Sequence, residues 1–404
     1  MSERPRPQVL HRVVDDPTSP VTSLPNDVDD KIACKDGPPV GVGLGMSGGG
    51  YRAMLFHLGS LWRLNELGYL PKLTRVSSVS GGSITSARLG QVWNKLAFDR
   101  AGVAQAFTAE VVEPIRELAS HTIDLPAVVV GAVLPFITIA DRIEKAYRKY
   151  VFGDAVVADL PGGAGAPRFV INAASVQTGA LFRFEKQYVA DWRIGVNRKA
   201  PAKLPLAKAV AASSAFAPFL SPVVLELEPA DFDVAGADLD DPAFRSRVVL
   251  TDGGNYDNLG LETIYKRCKT VLVSDAVGGL PADESPYEDW VRHGVRAVEL
   301  LLNQIVSLRK RQLIDALGKK PPERTGAYWS VRSELANYQL PDAWKFDQDL
   351  ATRMAQTPTR LEELDDGHQK DLINWGYVIC DTAMRTHLET TAAKPARLPY
   401  ERSP

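Results

Sequence analysis

Residues 40–68 read VGVGLGMSGGGYRAMLFHLGSLWRLNELG. A short apolar strand runs into a cluster of glycines. These open into a segment whose Met54, Leu55, Leu58, Leu61, Leu64 and Leu67 recur at helical spacing until Gly68 ends it. The literal G-x-G-x-x-G at Gly43, Gly45 and Gly48 suggests a dinucleotide site, but that fingerprint needs its first glycine just after a strand and an acid about 20 residues further on. Here Gly43 and Gly45 lie partly within the strand, position 68 is a glycine, and Glu66 falls in the helix. The P-loop signature fails as well, because no Gly-Lys-Ser/Thr follows. A plain turn would be satisfied by one or two glycines, whereas Gly48, Gly49 and Gly50 are consecutive. Three together leave several backbone N–H groups unshielded at the positive end of a helix, which is a device for holding an anion. What stands opposite decides whether that anion is a stable phosphate or an oxyanion formed during a reaction.

Working outward, LTRVSSVS (73–80) reads as a second strand and GGSITSARLGQVWNKLAF (81–98) as a second helix. Strand, helix, strand, helix predicts α/β architecture with a mainly parallel sheet flanked by helices. Residues 99–166 break the alternation and read as a helical insertion. RFVINAASV, LFRFEKQYV, SRVVLTDGG and KTVLVSDA resume as strands, with LPLAKAVAASSAFAPF as a helix between them, so the sheet is expected to end near Ala276. The chain divides into a flexible lead-in (1–37), an α/β domain (38–284), a helical region packed on it (285–390) and a tail (391–404). In the helical region Val291, Val295, Val298, Leu302 and Ile305 form an apolar stripe, and a last helix covers DDGHQKDLINWGYVICDTAMRTHL.

At 404 residues and 45% hydrophobic content the chain can bury a full core, and a net charge of −2 gives no reason to expect nucleic acid. Cys34, Cys268 and Cys380 are odd in number and widely spaced, suggesting unpaired thiols rather than disulfides or a zinc site. The charged, Pro-rich N-terminus argues against a cleaved signal peptide, so a cytoplasmic address is the default expectation. The longest apolar run, Ala127 to Ala140, falls short of the roughly 20 residues a membrane span needs and contains Pro135. It is read either as buried or as an interfacial anchor giving peripheral membrane contact.

The nucleophile search leads to SSVSGGS. Ser80, between Ser78 and Gly82, nearly matches the G-x-S-x-G elbow, in which a strand turns sharply into a helix and exposes the serine hydroxyl. A helix N-cap is the bland alternative. Downstream, LTDGGNYDNLGLE brings Asp252 out of an apolar strand into Gly253 and Gly254, which alone would read as a turn. Together, a glycine anion hole, an elbow serine and a strand-end aspartate sit where parallel sheets place their active sites.

With these residues in hand the sequence resembles the patatin-like phospholipases, serine lipid acyl hydrolases. The likeness rests on SGGGYRA, SVSGG and DGG, and extends over roughly residues 40–276 through INAASVQTGALFRF and AVAASSAFAPFLSP. The departure is Ser78 where the elbow has glycine. The resemblance implies a three-layer patatin-like fold and a Ser–Asp dyad that needs no metal or other cofactor. Asp252 would take the proton from Ser80 and later activate water. It implies an oxyanion hole at Gly48, Gly49 and Gly50 with Arg52 supporting the loop, and an elbow completed by Ser78, Gly81 and Gly82. Arg52 could equally pair with a structural carboxylate. A triad base would have to be His293, His368 or His387, none of which has a recognisable loop context, and His57 reads as a packing residue.

The expected reaction is phospholipase A-type cleavage of phospholipid esters. A neutral-lipid lipase or thioesterase with the same dyad, and a non-catalytic lipid- or nucleotide-binding module, stand beside it. The basic stretches RIEKAYRKY and SLRKRQLIDALGKKPPER suit anionic headgroups as well as solvated helix faces. The helical C-terminal third is where a protein partner or small-molecule activator would act.

Overall fold

The computed structural model describes residues 41–124, 139–163, 165–217 and 220–401. The lead-in expected over 1–37 lies outside them, as does the apolar run except Ile139 and Ala140, which open a helix.

Strand β1 (Val42–Met46) passes through the glycines into α1 (Gly50–Glu66), and β2 (Arg75–Val79) turns into α2 (Gly81–Gln91). The expected insertion contains α3 (Glu113–Ala119) and α4 (Ile139–Tyr147). Next come β3 (Arg168–Ser175), β4 (Leu181–Glu185), β5 (Tyr188–Asp191) and β6 (Gly195–Asn197). They are followed by α5 (Leu206–Ser213), β7 (Val223–Glu226), β8 (Phe232–Asp233), β9 (Arg247–Asp252) and β10 (Thr270–Asp275). The last part holds α6 (Trp290–Gly318), β11 (Thr325–Ser330), α7 (Gln348–Gln356) and α8 (Asp366–His387).

These strands form one mixed sheet. Its centre, β11-β10-β1-β2-β3, is parallel throughout, and β4, β5, β6 and β8 continue it as an antiparallel arm. Helices cover both faces, because alternate residues of β10 serve different cores. Val271 and Val273 pack with Ile264 and with Val306 and Leu313 of α6, while Leu272 joins the larger core that contains α1 and α8. This is the three-layer arrangement expected. Gly43 and Gly45 face the smaller core: a Cβ at Gly43 would fall 2.7 Å from Ile264 Cβ, and one at Gly45 2.9 Å from the Leu259 carbonyl oxygen. Two of the fingerprint glycines therefore serve close packing, not a phosphate.

Strand β9 departs from the expected plan. It is antiparallel to β3, yet its last residue reaches the level of the carboxyl end of β2. Strand β2 pairs with β3 from Arg75↔Arg168 to Val79↔Asn172, and β9 takes over the next residues of β3, from Ala173↔Asp252 to Ser175↔Leu250. Because β4 occupies the other edge of β3 opposite residues 171–174, β2 and β9 share one edge and meet end to end. Ser80 and Asp252 stand at that junction.

The sheet also extends beyond Ala276, where the sequence reading ends it. Strand β11 pairs in parallel with β10 from Thr270↔Thr325 to Asp275↔Ser330. Its TGAYWS lacks an apolar run, and Gly326 approaches so closely that a Cβ would fall 1.9 Å from the Val271 carbonyl oxygen. Helix α8 lies in the main core against α1, with Trp375, Val378 and Ile379 fully buried. The two helices cross at reciprocal glycines: a Cβ at Gly59 would fall 1.9 Å from the Ile373 oxygen, and one at Gly376 1.9 Å from the Phe56 oxygen.

Candidate active site

Ser80 joins β2 to α2 with φ 52° and ψ −125°, a left-handed φ that costs a non-glycine residue on the order of 1–3 kcal/mol. The surroundings hold it there. Its N–H donates to Ser213 Oγ at 3.0 Å, and that hydroxyl donates to the Asn172 carbonyl at 2.6 Å. Gly81 and Gly82 press on the glycine loop, where a Cβ would fall 2.1 Å from the Gly50 oxygen or 2.6 Å from the Ser47 oxygen. Ser78, in the place of the motif's glycine, is fully buried, and its hydroxyl accepts from Ser83 and Ser86. The departure from glycine is thus accommodated by a buried cluster of hydroxyls.

Asp252 is 4% exposed and accepts the Gly254 N–H at 2.7 Å, and the Ser80 hydroxyl lies near enough to favour its charged form. Burial pushes its carboxyl up to about 7, against the pull of those two groups. Gly253 follows because a Cβ there would fall 2.3 Å from the Asn172 carbonyl oxygen. A carboxylate with this affinity for protons, set beside a serine hydroxyl, is equipped to act as a general base near neutrality.

The glycine loop faces the same point, since a Cβ at Gly48 would fall 3.0 Å from Ser80 Cβ. One expectation is corrected here. The Gly48 N–H donates to the Asn258 carbonyl at 3.1 Å, so it is not free to hold an oxyanion. Gly49 (φ 140°) and Gly50 (φ 60°) have backbone conformations that favour glycine, and among the described residues neither N–H meets a protein acceptor. They lead into α1, whose positive dipole end reinforces them. Among the described residues Arg52 makes no ion pair with a carboxylate. It donates to the Ala276 carbonyl at 3.0 Å, the Thr359 hydroxyl at 3.0 Å and the Thr357 carbonyl, and burial lowers its pKa to about 10. It sits behind Gly49, fastening the loop to the end of β10 and to a strap at 357–360. The strap also caps α1, as the Tyr51 N–H donates to the Arg360 carbonyl at 2.9 Å.

No histidine lines the cavity among the described residues. His57 is fully buried, with Nε2 2.9 Å from the Ser47 carbonyl and Nδ1 2.8 Å from Ser274 Oγ, and burial lowers its pKa to about 4. The carbonyl fixes the proton on Nε2 and burial keeps the ring neutral, a packing role. His293 and His387 are exposed, and His368 contacts the Thr357 hydroxyl at 2.8 Å.

Ser80, Asp252, Gly48 and Gly49 open onto a cavity of about 920 Å³, within the range of small-molecule sites. Phe216, Leu302 and Val306 give it apolar wall, with Arg296, Glu299 and Arg332 at other points of its lining. Sequence reading missed Asn172, Ser213, Asn258 and the strap. The first three are small polar residues whose partners lie in other strands or loops, and the strap follows Asp252 by more than 100 residues.

A sequence model of the family described as patatin-like phospholipase matches residues 44–265. Among solved structures, human GIVD cytosolic phospholipase A2 is similar at 14% identity and a TM-score of 0.46, over 86% of this chain and 61% of that one. VipD from Legionella pneumophila is similar at 14% identity and a TM-score of 0.35, over 86% of this chain and 67% of that one. The type III effector protein ExoU is similar at 12% identity and a TM-score of 0.31, over 87% of this chain and 54% of that one. No curated protein matches.

Proposed function

Since the chain belongs to the patatin-like phospholipase family, we propose that it is a lipid acyl hydrolase that cleaves phospholipid esters through an acyl-enzyme on Ser80. The observation that carries this reading is Ser80, held at a left-handed φ, beside a buried Asp252 at the edge of a cavity with apolar walls. As Ser80 Oγ attacks the ester carbonyl, Asp252 takes its proton. The negative charge on the tetrahedral oxygen falls to the Gly49 and Gly50 N–H groups, donors of a kind worth about 2.7–4 kcal/mol each. Collapse breaks the bond to the alcohol oxygen, which leaves with the proton held by Asp252. Water then enters, gives a proton to Asp252 and attacks the acyl-serine, releasing fatty acid and restoring the Ser80 hydroxyl. Arg52 takes no proton in this scheme. Its charge supports the loop from behind.

Fatty-acid release from phospholipid vesicles tests the proposal. The unmodified protein is expected to release fatty acid, and Ser80→Ala and Asp252→Asn to lose at least about a thousandfold in kcat. Release unchanged in Ser80→Ala would overturn it.

A further inference from the structure

The strap at 357–360 is anchored on the insertion, at a carboxylate that the chemistry above does not use. Asp124, just beyond α3, is 8% exposed. Arg360 Nε donates to its Oδ2 at 3.0 Å, and Nη2 to its Oδ1 at 3.4 Å and its backbone carbonyl at 3.2 Å. The Leu361 N–H donates to Oδ2 at 3.0 Å, and the Ile123 N–H returns a bond to the Leu361 carbonyl at 2.9 Å. A guanidinium and a backbone amide thus close on one carboxylate, a charge-assisted arrangement that fixes orientation as well as position.

What the Arg360 backbone touches gives this clasp its use. Its carbonyl accepts the Tyr51 N–H, and a Cβ at Gly50 would fall 2.3 Å from that oxygen and 2.8 Å from the Arg360 nitrogen. Gly49 is backed by Arg52, since a Cβ there would fall 2.9 Å from Arg52 Nη2, and Arg52 is held in turn by the Thr357 carbonyl and the Thr359 hydroxyl. The two glycines offered to the oxyanion therefore rest on the strap, and the strap rests on Asp124. Donors of this kind stabilise a developing charge only when they are in place before it forms. We propose that Asp124 and Arg360 are positioning residues, whose ion pair, acting through the backbone of 357–360, fixes the Gly49 and Gly50 N–H groups opposite Ser80. Neither side chain lines the cavity, so their loss acts on the reaction step and not on substrate binding. The catalytic use of the clasp rests on the hydrolase reading above. Its hold on the glycine loop does not.

Asp124→Asn keeps the shape of the side chain and removes its charge, while Arg360→Met removes the guanidinium and keeps the backbone. On a soluble short-chain ester, the full chain carrying either change is expected to lose about tenfold to a hundredfold in kcat, with KM within about twofold of the parent. The double variant should lose no more than the worse single one, because the two residues act as one clasp. The surface pair Arg116–Asp366 joins the insertion to α8 without touching the strap, so Asp366→Asn is expected to leave kcat unchanged. Hydrogen–deuterium exchange reads the same coupling without turnover: the Tyr51 amide, bonded to the strap, should exchange on the order of tenfold faster in both clasp variants. Exchange unchanged at Tyr51 would overturn the proposal, as would kcat unchanged in both clasp variants or an equal fall in Asp366→Asn. A parent that hydrolyses no ester would count against the function proposed above, and exchange at Tyr51 would still decide whether the clasp holds the loop.

Discussion

Asp252 has to be ionised to accept a proton from Ser80, and burial holds its carboxyl at about 7. The acidic limb of kcat/KM is therefore expected near pH 7, well above the value of about 3.9 for an ordinary aspartate, and a limb near pH 4 would contradict the assignment. The same shift acts on stability with a definite sign. The folded state binds this proton more tightly than the unfolded chain, so stability is lost as pH rises from the ordinary aspartate range to about 7. Asp252→Asn should accordingly be more stable than the parent above pH 7, on the order of 4 kcal/mol, as read by thermal denaturation. Ser80, Asp252 and the glycine loop were legible in the sequence because strained or close backbone positions restrict residue choice. The engagement of the Gly48 amide by Asn258 was not, since it depends on where another loop runs.

At the scale of elements, the alternation of strand and helix announced β1, β2, β3, β9 and β10, but not the direction of β9. Direction is set by the edge of β3 left open where β2 stops, a fact of pairing that no residue type carries. The antiparallel arm was under-read for the same reason, with LFRFEKQYV dividing into β4 and β5 around a tight turn. On α6 the helical period announces an apolar stripe but not how it is divided, with Leu302 lining the cavity and Val291 and Val298 exposed. The crossing of α1 and α8 gives this scale its test. Gly59→Ala would place a Cβ 1.9 Å from the Ile373 carbonyl oxygen, where backbone must move. A loss of about 3 kcal/mol or more is expected in denaturant unfolding, and a loss under 1 kcal/mol would mean that the helices do not approach this closely.

For the whole molecule, the region after residue 284 does more than pack on a finished domain. It supplies the sheet edge β11, the core helix α8 and the strap that Arg52 fastens beside the glycine loop. Asp381 of α8 is fully buried, accepting from Arg63 at 2.8 Å and Arg385 at 3.0 Å, so the first and last thirds of the chain share one ion network. A chain cut after residue 284 would leave Arg63 without that partner and the α8 side of α1 in water. It is expected to be insoluble or to lack a cooperative thermal transition; a folded, ester-cleaving fragment would show that the C-terminal region is an accessory.

The most direct measurement of the central claim is intact-mass and peptide mapping of the full chain after reaction with a fluorophosphonate ester. Ser80→Ala, Asp252→Ala and the triple change of His293, His368 and His387 to Asn would be run alongside. A Ser80–Asp252 hydrolase predicts one adduct, located on Ser80, lost in the first two variants and retained in the third. An adduct that survives Asp252→Ala but disappears with the histidines would contradict it and make a histidine the base.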